Sequence, residues 1–210
     1  AHCNDRVPRI QSTGAVDITN NLIYNCPLPN VSSGSAPSQV SGVGVRNYRG
    51  NYLKRGPNTV LESSYYVAVS AGSSSLIYLR DNITPFRPNN VGDQSIGVIR
   101  ANNSSFVVEN SSLLANINVD SPNDAYNKIL VDAGCLYNLT NTDGLTTNNR
   151  DSVDRRIIDE VKGGSGRIID HPSDVGGWPT LSSGTAYTDL DGDGMPDEWE
   201  IKMGLNRNSS

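Results

Sequence analysis

Asparagine returns at a near-fixed interval along the first half of this chain. Four segments carry it: VDITNNLIYN around Asn21, VGVRNYRGNYLKRG around Asn51, SLIYLRDNITPF around Asn82 and SSFVVENSSLL around Asn110, in steps of 30, 31 and 28 residues. Each is a short run of Val, Ile, Tyr or Thr alternating with polar residues, and Gly, Asn, Ser and Pro fill the intervals. Self-similarity at about 20 to 50 residues marks a solenoid or an array. Helical 3.6-residue periodicity is missing from residues 10 to 112, and a propeller blade needs about 40 to 45 residues. The pattern therefore predicts an all-β fold, a right-handed parallel β-helix. Asn side chains stacked at one corner can bond one another up the stack and satisfy the turn's backbone groups. The stretch Pro27 to Ser41 reads as an irregular loop between coils, either a mobile surface loop or a segment that carries function on a rigid scaffold.

Composition agrees with many turns around a narrow core. Hydrophobic residues are 36% and aromatics 6% of the 210 residues, with 20 glycines. The net charge of −5 comes with no Lys/Arg-rich run, which argues against nucleic acid as a partner. No apolar run is long enough to span a membrane as a helix. Cys3, Cys26 and Cys135 form no CxxC pair, and only His2 and His171 accompany them, so a zinc site is not supported. These cysteines read as buried thiols. Sequons begin at Asn30, Asn82, Asn102, Asn103, Asn110, Asn138 and Asn208; they permit glycosylation of a secreted protein without showing it.

Past residue 120 the pattern changes. Ser121-Pro122-Asn123-Asp124 starts a helical AYNKILVDAG, and RDSVDRRIIDEVKGG places Val153, Ile157, Ile158 and Val161 on one face before Gly163-Gly164. Coils over residues 1–120, a helical cap over 121–180 and a tail over 181–210 are the expected divisions. The tail holds the chain's most specific motif, running from Asp189 to Glu200 as DLDGDGMPDEWE. It satisfies every position of the calcium-loop pattern D-x-[DN]-x-[DN]-G-x5-E. Asp189, Asp191 and Asp193 supply carboxylates, Met195 a carbonyl, Asp197 the ninth position and Glu200 a bidentate twelfth, a set suited to Ca²⁺. No helical pattern precedes the loop, so a stabilising role is expected of it rather than a sensing one.

HCNDRVPRI followed by VDITNNLIYN and RNYRGNYLKRGPNT resembles the later coils of extracellular pectate lyases, the parallel β-helix polysaccharide lyases. RDSVDRRIIDEVKGGSGRIIDHPSDVGGWP with DLDGDGMPDEWE is similar to the C-terminal end of bacterial, often marine, members. The resemblance implies a secreted enzyme whose partner is an acidic polysaccharide of the polygalacturonate kind. It implies that Arg6, in an R-x-P-x-x-R segment with Pro8, removes the proton α to a uronate carboxylate. The segment's second arginine falls at Gln11, with Arg9 nearby to take its place. Arg9, Gln11, Arg46 and Arg49 are the expected substrate-binding residues of a basic groove. The family's catalytic Ca²⁺ ligands and lysine would lie on coils before residue 1, so a missing N-terminal part or a stacking neighbour chain is expected. The alternative is a non-catalytic β-helix subunit of a structural, filament-forming or carbohydrate-binding assembly, since an open coil end recruits further chains.

Overall fold

The computed structural model describes residues 1–3, 7–27, 38–59, 67–69, 74–99, 107–111, 117–139, 146–148, 150–180 and 183–210. The chain divides into two compact units, residues 1–131 with 157–170, and residues 132–156 with 171–210.

The first unit is built from parallel sheets whose neighbouring strands lie about one repeat apart in sequence. One sheet runs β1 (Arg9–Gln11), β4 (Ser38–Ser41), β7 (Val67–Val69). A second runs β2 (Val16–Thr19), β5 (Val43–Arg49), β8 (Ser74–Arg80), β9 (Val107–Val108). A third pairs β3 (Leu22–Tyr24) with β6 (Tyr52–Lys54), and Ile83 continues it by a bridge to Tyr52. Register matches equivalent residues of successive repeats: Ile10 with Val40, Ile18 with Tyr48 and then Leu79, Ile23 with Leu53. Every second side chain of a strand points the same way. The inward positions stack into columns, and Ile18, Ile23, Val40, Tyr48, Leu53, Ile77 and Leu79 form one core with Cys26, Val98 and Ile99.

The corner between the second and third sheets repeats the same two-residue device. Asn20, Gly50 and Asp81 have φ of 54°, 63° and 52°. Left-handed backbone is tolerated by Gly, and by Asn and Asp among the rest. Each is followed by an asparagine, and these bond in series. Asn51 Oδ1 accepts from the Asn21 backbone N–H and from Asn21 Nδ2, both at 2.9 Å. Asn82 Oδ1 accepts from the Asn51 N–H at 3.1 Å and Asn51 Nδ2 at 2.9 Å. The amides also donate back to the strands, Asn51 to Ile18 O and Asn82 to Tyr48 O. Gly50 has a further reason to lack a side chain: a Cβ there would sit 2.7 Å from Val119 Cγ1 and 2.8 Å from Asp120 O.

Asn110 does not extend this ladder. Tyr78 pairs with Val108, so Asn110 falls opposite Arg80 rather than Asn82, and it is exposed. The register position of the ladder on that coil is residue 112, outside the described residues. Asn82 is fully buried in the ladder, which rules out its sequon as a glycan site. Cys26 is buried as expected, but Cys3 and Cys135 are exposed.

Helices α1 (Pro122–Asp132) and α2 (Ser152–Gly163) form where the sequence pattern places them. Ser121 Oγ accepts the Asp124 N–H and caps α1. Within the first unit, Lys54 Nζ donates to the last-turn carbonyl of Val161 at 2.5 Å and to Tyr126 Oη at 3.1 Å. A cation at that carbonyl end is favoured by the helix dipole. Tyr24 Oη donates to Ser165 O, and His2 Nε2 lies 2.9 Å from Glu160. The second unit contains an antiparallel pair, β10 (Tyr137–Leu139) with β11 (Thr146–Asn148), and α3 (Asp197–Met203).

Replacing Asn51 by Ala strands the Asn21 N–H and removes four hydrogen bonds from a buried position. It is expected to cost about 2–4 kcal/mol in denaturant unfolding. Asn21→Ala, at an exposed rung, is expected to cost under about 1 kcal/mol. Equal costs would mean that the asparagines serve only as turn residues.

Candidate functional site

The expected site residues separate into three environments. The first is the outer face of β1. Ile10 turns inward against the core, so Arg9 and Gln11 share the opposite, exposed face. Arg6 lies outside the described residues.

The second is the edge where β1 passes into β2. Arg46, expected in an exposed basic groove, is 0% exposed. Its Nη1 donates to Gly14 O at 2.6 Å, and its Nη2 to Ser12 O at 2.8 Å and Ser41 O at 3.1 Å. Burial pulls its guanidinium below the ordinary arginine value. Arg46 therefore ties carbonyls of neighbouring coils and has no face to offer a polymer. Arg49 is mostly buried and donates Nη2 to Asp17 Oδ1 at 2.9 Å, the oxygen that also accepts from Asn47 Nδ2. Arg80, on the next coil and opposite Arg49, was not anticipated. Its signal was in the repeat: each of these arginines precedes a left-handed residue and then a ladder asparagine, as RGN and RDN.

The third is the loop of the second unit. One carboxylate oxygen each from Asp189, Asp191 and Asp193 lies within 4.8 Å of the other two. The backbone sets this convergence. Gly192 N–H donates to Asp189 Oδ1 at 2.7 Å and Gly194 N–H to Asp189 Oδ2 at 3.0 Å. Met195 N–H donates to Asp193 Oδ1 at 2.7 Å. Gly194 has φ of 92°, which a side chain would strain. Asp197 opens α3, and its buried carboxylate accepts the Leu190 N–H at 2.9 Å, fastening the helix to the start of the loop. Asp197 and Glu200 stand outside the group of three.

Glu200 is 1% exposed, and its Oε2, like Asp191 Oδ2, is buried without a hydrogen-bond partner among the described residues. Burial pushes its carboxyl above the usual carboxylate range, and Asp191, Asp193, Asp197 and Asp189 add to the rise. Clustered acids with orphaned buried oxygens are costly unless a cation joins them. The donor set, all oxygen, fits a hard divalent ion.

Comparison with known proteins concerns the chain as a whole. Probable pectate lyase C of Aspergillus flavus is 29% identical over 211 residues, covering 98% of this chain and 45% of that protein. The probable pectate lyase C of Neosartorya fischeri and that of Aspergillus fumigatus are each 28% identical over the same shares. The chain is similar to fungal proteins named as pectate lyases. It spans about 45% of the length of these relatives. No family model matches the chain, and no solved structure matches it. The likeness runs over nearly the whole chain at modest identity.

A raised carboxyl means that the folded loop binds a proton more tightly than the unfolded chain does. In chelator, stability should therefore fall as pH rises from the ordinary carboxylate value through the raised one. Glu200→Gln removes that dependence. Its melting temperature in chelator is expected to exceed that of the parent at neutral pH and to match it below about pH 4. A parent that is instead more stable at neutral pH would contradict the crowding of charge.

Proposed function

We propose that this chain is part of a secreted, right-handed parallel β-helix polysaccharide lyase that cleaves uronate polymers of the polygalacturonate kind by β-elimination. One observation carries the reading. The similarity to probable pectate lyases runs through 98% of the chain, and that same chain pairs strand on strand about 30 residues apart. A right-handed path is also the one that parallel crossovers take in nearly all sheets.

In this reading Arg6 takes the proton from the carbon α to the uronate carboxylate, and the electron pair moves onto the carboxylate as an enolate. The pair then returns to form the carbon–carbon double bond as the adjacent C–O glycosidic bond breaks, and the leaving oxygen is protonated. A guanidinium is a poor base because its pKa lies above ~12, so Arg6 needs cations close by to release its own proton. Arg9 and Gln11, both on the exposed face of β1, would hold the substrate. Arg9 would neutralise a carboxylate and so favour charge developing there, and Gln11 would bond sugar hydroxyls. Asp17 Oδ1 is engaged by Asn47 and Arg49.

The acidic loop is proposed to hold Ca²⁺ through Asp189, Asp191, Asp193 and Glu200, with Met195 and Asp197 completing it. The ion there would offset the mutual repulsion of the carboxylates and fasten α3, far in sequence from the chemistry. Support comes from the three converging carboxylates and the unpartnered oxygens of Glu200 and Asp191.

The activity test is direct. Incubation of the longer protein of which this chain is proposed to be part with polygalacturonate and Ca²⁺ should release a 4,5-unsaturated product that absorbs in the ultraviolet. Arg6→Ala should slow its release about 10²- to 10⁴-fold, the usual worth of a general base. No product, or an unchanged rate in the variant, would remove the catalytic assignment and favour the binding-subunit alternative. For the loop, Ca²⁺ should raise the melting temperature in proportion to RT ln(1 + [Ca²⁺]/Kd). Glu200→Gln should remove most of that rise, and an equal rise in the variant would contradict the ligand set.

A further inference from the structure

Arg49 and Arg80 are the last residues of β5 and β8 and stand opposite each other in register. Adjacent strands lie about 4.8 Å apart, so the two side chains leave the sheet from neighbouring positions. Together with Asp81, Asn90, Asp120 and Ser121 they line a cleft of about 580 Å³. That volume is in the range of sites for small ligands, about 300–1,000 Å³. Asp120 is fixed by the ladder corner itself: Asn20 Nδ2 donates to Asp120 O at 2.9 Å, and the Asp120 N–H donates to Asn20 Oδ1 at 3.0 Å.

The charges are balanced. Arg49 pairs with Asp17, Asp120 accepts from Lys128 at 2.7 Å, and Arg80 Nε lies 3.4 Å from Asp81. Asp81 also accepts from Asn90 Nδ2 at 3.2 Å. This is neither a funnel for a polyanion nor a cage for a cation. It matches a molecule of mixed character, one carboxylate among several hydroxyls. Arg80 is the exposed member. Its side chain is 67% exposed and is hydrogen-bonded to the Tyr78 hydroxyl and to Asp81. A guanidinium so placed can turn to grip a carboxylate with two parallel N–H bonds. Arg49, opposite it in register, lines the cleft beside it. The carboxylates of Asp81 and Asp120 accept hydroxyl protons, and Asn90 and Ser121 can both donate and accept. Ile117, 41% exposed on the wall, offers apolar surface to ring carbons.

We propose that this cleft is an accessory subsite for one uronic acid residue, on the β2–β5–β8–β9 sheet and so apart from the β1 face of Arg9 and Gln11. The proposal rests on the lyase reading for the source of its ligand. It would hold a polymer end or branch while the β1 face works.

Nuclear magnetic resonance titration separates the two claims. Galacturonic acid is the probe, and galactose, which differs in the carboxyl group, is the control. Galacturonic acid should shift the Asn90 side-chain amide and the Ser121 backbone amide, and galactose should shift them far less. Arg80→Gln, at an exposed position that should leave the melting temperature unchanged, is expected to weaken the galacturonate response about tenfold or more. Arg9→Ala should leave it intact. Silence at Asn90 and Ser121, an equal response to galactose, or full binding by Arg80→Gln would overturn the subsite. Shifts that depend on Arg80 in a protein that makes no unsaturated product would leave the subsite standing and sink the lyase. Product without such shifts would do the reverse.

Discussion

The side-chain amide of Asn51 makes four hydrogen bonds, to Asn21 twice, to Ile18 O and to Asn82 Oδ1. The first unit depends on it. Strand backbones bond to the next coil by themselves, but a corner turns its backbone groups away from the ladder, and buried groups left unpaired are costly. The asparagines replace the missing partners with amides that both donate and accept. Each needs a left-handed residue before it, and the chain supplies Asn20, Gly50 and Asp81. A smaller version recurs at the next corner, where Asn25 Oδ1 accepts the Asn58 N–H at 2.7 Å.

Such a frame sorts side chains by parity, and the arginines show the result. Arg46 lies two residues before Tyr48 and shares its inward side, so it is consumed in tying carbonyls of the stack. Arg9 flanks the inward Ile10 and is left outside. Arg49 and Arg80, at the strand ends, reach the cleft over the corner. One residue type thus serves structure, a candidate substrate face and a candidate subsite, according to its place in a repeat. The calcium-type loop follows different physics. Its carboxylates are gathered by backbone N–H donors, and the crowding they create is what a cation would relieve.

The repeat was legible because hydrogen-bonded corners demand a specific side chain at a specific interval. Ile18, Tyr48 and Leu79 could be placed in one column from the alternation around each asparagine. Counting asparagines failed at Asn110, because register is set by strand pairing, and Tyr78 pairs with Val108. Arg46 was misplaced because charge suggested solvent, although its even spacing from Tyr48 pointed inward. The pair β10 with β11 went unread, though Asp143-Gly144 between its runs is a hairpin signal. The helices were readable from their caps and apolar spacing. The loop was readable as a motif, but the burial of Glu200 and Asp197 was not, because it depends on packing that no local pattern records.

The ladder is tested most directly by native-state hydrogen exchange of the backbone amides of Asn21 and Asn51. Both donate to a side chain of the next coil rather than to a strand carbonyl. If the ladder closes the corners, these two amides exchange only when the stack opens, with the same free energy as Leu53 and Ile83 in the adjoining strands. Exchange at the rate of a solvent-exposed turn, orders of magnitude faster than Leu53, would contradict it and leave the sheets to hold the coils alone.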